Sequence, residues 1–414
     1  MTAGTKLKLA SPVSSPSESD AIDRLSSEIE PKLIKWRRDI HQHPELSGQE
    51  YRTSSVVTDH LQDLGLDVRT GVAETGVIGV LKGSTPGPVV ALRADMDALP
   101  VTEKTGLPYA SQTEGVMHAC GHDMHTAILM GTADVLSKMR NQIKGSVKFI
   151  FQPAEEGPLE GRDSGAPKMI NEGALENPKT NAIFGLHIAP LPTGIVCCRP
   201  GNLLASADIF DIDIKGKQTH GAMPWAGLDP IVIAAQIVLG LQSIISRRTN
   251  LTLAPAVISI GMIHGGDTFN IIPELVRMTG TIRALDANAR EEIKGQVIEM
   301  AHHIAKSGGC VADVSIREAF PISHNDPDLT QKMIPSFNRI VGNNAIMTIP
   351  PITNSDDFSF YQEKIPGLFF FLGATPAGVI AHPNHSPYFA PDENALLLGV
   401  KLMSNMAVDY LALG

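Results

Sequence analysis

Short apolar runs separated by longer periodic stretches organise this chain. Four of them, VIGVL (77–81), PVVALRA (88–94), SVKFIF (146–151) and AIFGLHI (182–188), are nearly continuous and rich in β-branched residues. That is the pattern of strands buried on both faces. Between the second and third lies TAILMGTADVLSKM (126–139), whose spacing predicts an amphipathic helix. Residues 19–66 also read as helical: Asp20 can cap, Pro31 breaks or restarts the helix, and SGQE (47–50) is a capping box for a second helix ending at Gly65. Strands alternating with helices predict an α/β domain with a mostly parallel sheet and helices on both faces.

The pattern changes after Pro200. SADIFDIDIKG (206–216) alternates, with Ile209, Ile212 and Ile214 set among acids, as a strand with one wet face should. A helix (229–248), two strands (256–264 and 275–285), a helix (289–307) and a strand (311–320) follow. This βαββαβ order predicts a ferredoxin-like α+β unit. The α/β style then resumes, with GLFFFLGA (367–374) as a buried strand and a closing helix after Asp392. The expected organisation is a flexible leader over 1–20, a discontinuous catalytic domain over 21–198 and 317–414, and an inserted lid or dimerisation domain over 199–316.

Composition narrows the class. Hydrophobic residues make up 43% and charged residues 19% of the 414 positions, which describes a globular protein. A net charge of −10 argues against nucleic acid or an anionic membrane as partner. No uncharged apolar run reaches the roughly 18 to 20 residues of a membrane span. The Ser- and Pro-rich first twenty residues lack the apolar core of a signal peptide. Four cysteines (Cys120, Cys197, Cys198, Cys310) do not make a disulfide framework, and a reducing cytoplasm is the expected location.

Chemistry-bearing residues gather where strands end. RADMDALP carries Asp95 and Asp97, HACGHDMHTA (118–127) opens a helix, FQPAEEG carries Glu155 and Glu156, GLHI carries His187, and HPNHSPYF carries His382 and His385. Taken singly, each has an ordinary reading: an acidic pair after a strand is usually solvated, a lone histidine usually sits in a core, and Asp123 can be an N-cap. Cys-x-His is not the usual spacing of a structural zinc site. Five segments delivering such side chains to the carboxyl ends of strands, where open α/β sheets build their sites, point instead to a metal site.

These stretches resemble the two-metal amidohydrolases that include aminoacylases, hippurate hydrolases, indole-acetyl-amino-acid hydrolases and carboxypeptidase G-type enzymes. The likeness runs through RRDIHQHPELSGQE, RADMDALP, MHACGHDMHTA, FQPAEEG, GLHI, GAMPWAGLDPI, DTFNIIPE followed by TIR, SDDFSFY and HSPYF, in family order. It is strongest to the hippurate hydrolase and auxin-conjugate hydrolase branch, which carries the Cys-x-His loop. The resemblance implies Cys120, His122, Glu156, His187 and His385 as ligands of two divalent ions (zinc, manganese, nickel or cobalt). It implies Glu155 as general base and acid, supported by Asp97, which takes the second N–H of a ligand imidazole. His220 would stabilise the oxyanion, in the same subunit or across to a second one, and Asn270 and Arg283 would hold the substrate carboxylate. His118 and His125 would be supporting residues. The implied reaction is hydrolysis of an N-acyl amino acid, in a homodimer or higher oligomer formed through the lid.

Two departures qualify the likeness. The family's strand-end motif often reads His-x-Asp with a ligand histidine, whereas this chain has Asp95, which is therefore left out of the ligand set. The lid motif has Gln218 and Thr219 before His220 and Trp225 after Pro224, which bears on the acyl group accepted. Competing readings are a carboxypeptidase or dipeptidase on the same site, a cysteine amidase using Cys120 with His118, His122 or His125 as base, and an inactive scaffold. The last would lack a ligand or the base, and all those positions are filled.

Overall fold

The computed structural model describes residues 16–157 and 164–413. It divides into two compact units. The larger comprises residues 1–201, 324–350 and 360–414, and the smaller residues 202–323 and 351–359. Of the leader expected over 1–20, residues 1–15 lie outside the described residues, and 16–20 already belong to the first helix.

The larger unit begins with α1 (Pro16–Gln42) and α2 (Tyr51–Asp63), then β1 (Asp67–Val72), β2 (Gly76–Lys82), β3 (Thr85–Asp95), α3 (His122–Lys138), β4 (Lys144–Gln152), α4 (Gly165–Asn171), β5 (Ala182–Pro192) and β6 (Val196–Cys198). Its eight strands lie in the order β1-β2-β4-β3-β5-β16-β6-β15, where β15 is Ile346–Thr348 and β16 is Gly367–Thr375. The centre, β4-β3-β5-β16, is parallel, and antiparallel pairs flank it on both sides. The predicted buried runs form β2 to β5, whose central residues are inaccessible.

Three helical expectations need correction. Pro31 does not interrupt α1, which runs through it for 27 residues. Pro31 faces solvent, where water can take the carbonyl it leaves unpaired, while Ile22, Leu25, Ile29, Leu33 and Ile40 hold the inner face. The SGQE capping box does not form: Ser47 Oγ donates to Asp97 and Glu50 turns inward to the Ala154 N–H. Glu45 caps α2 instead, accepting from the backbone N–H groups of Arg52 and Thr53 at 2.8 Å. Finally, α3 is not amphipathic. Residues 122–136 are buried all round, because α1, α9 (Asn394–Leu413) and the sheet enclose it.

The smaller unit contains most of β7 (Gly201–Leu204), then β8 (Ala207–Lys215), β9 (Thr219–His220), α5 (Pro230–Ser243), β10 (Ala256–His264), β11 (Ile271–Ile272), β12 (Leu275–Ala284), α6 (Ala287–Ser307) and β13 (Val311–Phe320), and β14 (Ser323–Asn325) begins where the chain re-enters the larger unit. Its main sheet has the order β10-β12-β8-β13, antiparallel throughout, which is the ferredoxin-like order. Phe210, Ile212 and Ile214 form the buried face of β8; Ile209 points the other way and is only half-buried. Asp208 shares the buried side and is held bidentately by Arg290 at 2.6 and 2.9 Å.

The chain then returns through α7 (Pro327–Val341) and α8 (Ser359–Gln362) to β16 and α9. Two helices exceed what the uncharged-run count anticipates: α5 with its continuation to Arg248, and α9, are each long and apolar enough to cross a membrane. α9 lies in the main core, and α5 buries Ile233, Ala234, Ile237 and Leu241 in the core of its own unit.

Candidate metal centre

Register brings the site together. Arg93 of β3 pairs with Gly185 of β5, and Asp95 pairs with Gln152 of β4, so Asp95, Gln152 and His187 lie level across the sheet. β3 and β4 stop there. β5 runs on to Pro192, so His187 lies within a strand rather than at its end as the sequence implies. The loop after β4 then places Glu155 and Glu156 beside the start of α3.

Gly121 (φ 99°) separates Cys120 from His122. A left-handed residue at that point turns the chain so that both side chains face the same interior, and an added Cβ would meet Ile188 at 3.3 Å. Of the five described non-glycine residues with positive φ, two belong to this site: Ala154 (φ 52°) just before Glu155 and His385 itself (φ 68°). Such conformations persist where surroundings hold them, commonly at functional sites. Here Glu50 Oε1 receives the Ala154 N–H at 2.9 Å, and His385 N donates to the Ala119 carbonyl at 2.8 Å.

The donor atoms form overlapping groups. Those of Cys120, His122 and His187 lie within 4.8 Å of one another, as do those of Cys120, Glu156 and His385, and those of His122, Glu155 and Glu156. Cys120 Sγ, 3.4 Å from His187 Nε2, is common to the first two groups. Hydrogen bonds set the imidazole tautomers. His187 Nδ1 donates to the Ile188 carbonyl at 2.8 Å, and His122 Nδ1 donates to Asp97 through its carbonyl at 2.9 Å and its Oδ1 at 3.1 Å. Both Nε2 lone pairs therefore face inward. His122 Nε2 is buried without a hydrogen-bond partner among the described residues. Glu156 Oε1 lies 3.0 Å from His385 Nε2 but outside hydrogen-bonding geometry, as befits two atoms aimed at a third point.

The electrostatics agree. Burial alone would raise the Cys120 thiol, but His187 and His122 outweigh it and bring it down to about 6. Burial opposes a charge on His122, yet Asp95, the Cys120 thiolate and Asp97 hold it well above the ordinary imidazole range. His385 is pushed up to about 10 by the Cys120 thiolate and then the Glu156 carboxylate beside it. A cluster that ionises its thiol and traps protons on two imidazoles has surplus anionic donors, and a divalent cation can replace those protons. A thiolate, three imidazoles and a carboxylate suit zinc, manganese, nickel or cobalt, so the residues present fit a metal pair.

Asp97 bridges the groups, holding His122 and also receiving the Glu156 N–H at 3.0 Å and Ser47 Oγ at 2.7 Å. Asp123 is not a cap, since Gly121 caps α3 and no side chain bonds there. Asp123 instead receives Arg37 Nε at 2.9 Å and His41 Nδ1 at 2.8 Å. His118 is buried, neither ring nitrogen is hydrogen-bonded among the described residues, and burial depresses it to about 4. His382 is exposed and stacks on Tyr388, outside the cluster. Asn384, which the sequence reading misses, donates to the Cys120 carbonyl at 2.9 Å and approaches its Sγ at 3.8 Å. No local motif marks it, because its partners lie 264 residues away.

The other expected residues belong to the smaller unit. β9 and β11 pair His220 with Ile271, and the Gly221 N–H donates to the Asn270 carbonyl at 2.7 Å, so His220 and Asn270 sit together. His220 Nδ1 accepts the Ala222 N–H at 3.0 Å, which leaves the proton on Nε2. Arg283 lies on β12, half-buried. It donates to Ser355 Oγ at 2.6 Å and makes no ion pair among the described residues. Burial lowers its pKa, and Asp208 offsets this only in part. Trp225 is 78% exposed on the turn after His220.

Residues 91–409 match the model of peptidase family M20/M25/M40. The chain is 40% identical to thermostable carboxypeptidase 1 of Saccharolobus solfataricus over 94% of its own length and 99% of that protein. It is 39% identical to IAA-amino acid hydrolase ILR1-like 2 of Arabidopsis thaliana, over 93% of this chain and 87% of the relative. Among solved structures it resembles the Bacillus subtilis YXEP protein, described as a dinuclear metal-binding peptidase of the M20 family, with a TM-score of 0.79 and 37% identity over 93% of this chain and 99% of that one.

Proposed function

This chain belongs to peptidase family M20/M25/M40, and from that premise we propose that it hydrolyses the amide bond of N-acyl amino acids. It is a metal-dependent hydrolase, and the proposal concerns its substrate and the roles of its residues. Two separate observations carry it: a partly buried thiolate, imidazole and carboxylate cluster with Glu155 beside it in the larger unit, and in the smaller unit a half-buried Arg283 that makes no ion pair among the described residues.

Cys120, His122 and His187 would hold one divalent ion, and Cys120, Glu156 and His385 the other. When bound, the ions supply the Lewis acidity that brings the pKa of water toward about 7. Glu155 takes the proton as the water oxygen attacks the acyl carbon, and returns it to the amine nitrogen as the carbon–nitrogen bond breaks. Asp97 keeps His122 in its Nδ1–H tautomer. His220 offers its Nε2–H to the developing oxyanion. Asn270 and Arg283 take the substrate's carboxylate, for which a planar guanidinium is suited. The products are a carboxylic acid and a free amino acid.

The smaller unit acts as lid and as dimerisation surface in this reading. β10 is an edge strand that exposes Val257, Met262 and Ile263, and α5 exposes Ile231, Val232 and Leu239. A second copy covering this apolar surface gives a homodimer. Four free cysteines, one of them a ligand, suit a reducing cytoplasm.

A carboxypeptidase or dipeptidase reading is favoured by the name of the Saccharolobus relative, and it would use the same groups. A panel of N-acetyl, N-benzoyl and indole-acetyl amino acids, set against unblocked dipeptides and longer peptides, separates the two. We expect the N-acyl amino acids to give the higher kcat/KM, and their methyl esters to lose most of it because Arg283 finds no carboxylate. A preference for peptides would overturn the substrate assignment.

A further inference from the structure

We propose that Asp95 and His125 are a positioning pair that aims His187 at the metal centre through the backbone of Ile188. The inference rests on the metal reading above, but concerns two residues that reading leaves without a role. Asp95 occupies the position where the resembled family often has a ligand histidine. Here its carboxylate is committed elsewhere: Oδ2 receives Arg93 Nη1 and Oδ1 receives His125 Nδ1, both at 2.5 Å, while its carbonyl receives Thr126 Oγ1 at 3.0 Å. Its nearest approach to a ligand nitrogen is 3.8 Å, to His122 Nε2.

His125 stands one turn after His122 on α3, so both project toward the same side. Its second nitrogen is also committed. The Ile188 N–H donates to His125 Nε2 at 2.8 Å. A backbone amide can only donate, so Nε2 must be bare and the proton must lie on Nδ1, where Asp95 receives it. With both nitrogens occupied, His125 cannot be a ligand. It fixes the amide of Ile188, whose own carbonyl receives His187 Nδ1 at 2.8 Å. The two groups of one residue thus connect His125 to the tautomer and ring plane of His187. The His125 ring also packs edge-on against that of His187, with centroids 4.6 Å apart, and lies 5.4 Å from that of His122. The order of influence is Asp95, His125, Ile188, His187, and it ends at the nitrogen that faces Cys120.

Isosteres separate positioning from mere filling of the core. In His125→Asn the amide nitrogen replaces Nδ1 and keeps Asp95, but nothing accepts from Ile188. In His125→Gln the amide oxygen can replace Nε2 and keep Ile188. Chelated wild-type protein and both variants would be titrated with Co(II), following the thiolate-to-cobalt charge-transfer band, the ligand-field bands and the dissociation constant. The melting temperature of each metal-free protein would be measured in parallel. We expect His125→Asn to bind cobalt about 10- to 100-fold more weakly, with shifted ligand-field bands, and His125→Gln to stay close to wild type. Asp95→Asn, which no longer fixes the His125 tautomer, should shift the bands as His125→Asn does, and it decides the matter if His125→Asn does not fold. Wild-type binding and spectra in both His125 variants, or equal losses in both that follow the melting temperature, would overturn the pair. Wild-type protein that gives no charge-transfer band at all would instead remove the metal reading beneath it.

Discussion

At the scale of single residues, Cys120 and His122 flank Gly121 at the start of α3, and the convergence of their donor atoms is legible in the primary structure. A thiol and an imidazole two apart, before a helix, already suggest a common target. Among the supporting residues Asp97, expected to take the second N–H of a ligand imidazole, does bond to His122, whereas Asn384 is not legible, because it bonds to Cys120 across 264 residues with no local motif to mark it. Glu155 and Glu156 are adjacent yet differ in placement. Glu156 approaches both Cys120 and His385, whereas Glu155 is grouped with His122 and Glu156 alone among the larger unit's donors. Replacing Glu155 with Gln should therefore leave the metal content unchanged and lower kcat by about 10²- to 10⁴-fold, the usual contribution of a general base. Metal analysis beside steady-state kinetics checks this, and undiminished kcat would refute the assigned base.

At the scale of elements, α1 and α3 show how tertiary context overrides local pattern. Pro31 reads as a break, but the inner face of α1 holds the helix through it. The spacing of α3 reads as amphipathic, but apolar residues on its nominally outer side meet α1 and α9. The two helices are joined by a buried network in which Arg37 and His41 of α1 hold Asp123 of α3. Burial would raise the Asp123 carboxyl, yet Arg37 and then His41 hold it far below the ordinary range. A depressed folded-state pKa means that this stabilisation is present above the unfolded carboxylate value, about 4. It is lost as the pH falls through the folded value. Asp123→Asn should cost about 3–5 kcal/mol near neutrality, because it takes from the buried Arg37 its closer, fully buried carboxylate and leaves it only Glu393 at 3.3 Å. The gap to wild type should begin to close as the pH drops below about 4. Urea unfolding against pH measures both, and a gap that widened in acid would contradict the assignment.

For the whole molecule, the change from continuous apolar strands to alternating ones at Pro200 marks the start of a second kind of layer, and the ferredoxin-like strand order follows from the βαββαβ succession. The limits were less legible. The smaller unit takes residues 202–323 and also 351–359, a segment with no periodic signal of its own. Nor does sequence reveal that an apolar helix such as α5 leaves Ile231, Val232 and Leu239 uncovered. If a second copy covers that surface together with β10, sedimentation should find a dimer at micromolar concentration and Ile263→Asp should dissociate it without lowering the melting temperature of the monomer. A monomeric wild type would contradict this.

The claim on which everything else depends is that Cys120 serves a metal centre rather than acting as a nucleophile. Chelated protein titrated with Co(II), with N-acyl amino acid hydrolysis assayed at each addition, tests it most directly. Activity should be absent after chelation and return with a thiolate charge-transfer band, reaching its plateau at two equivalents per chain. Activity that survives complete chelation and is abolished by thiol alkylation would contradict the account.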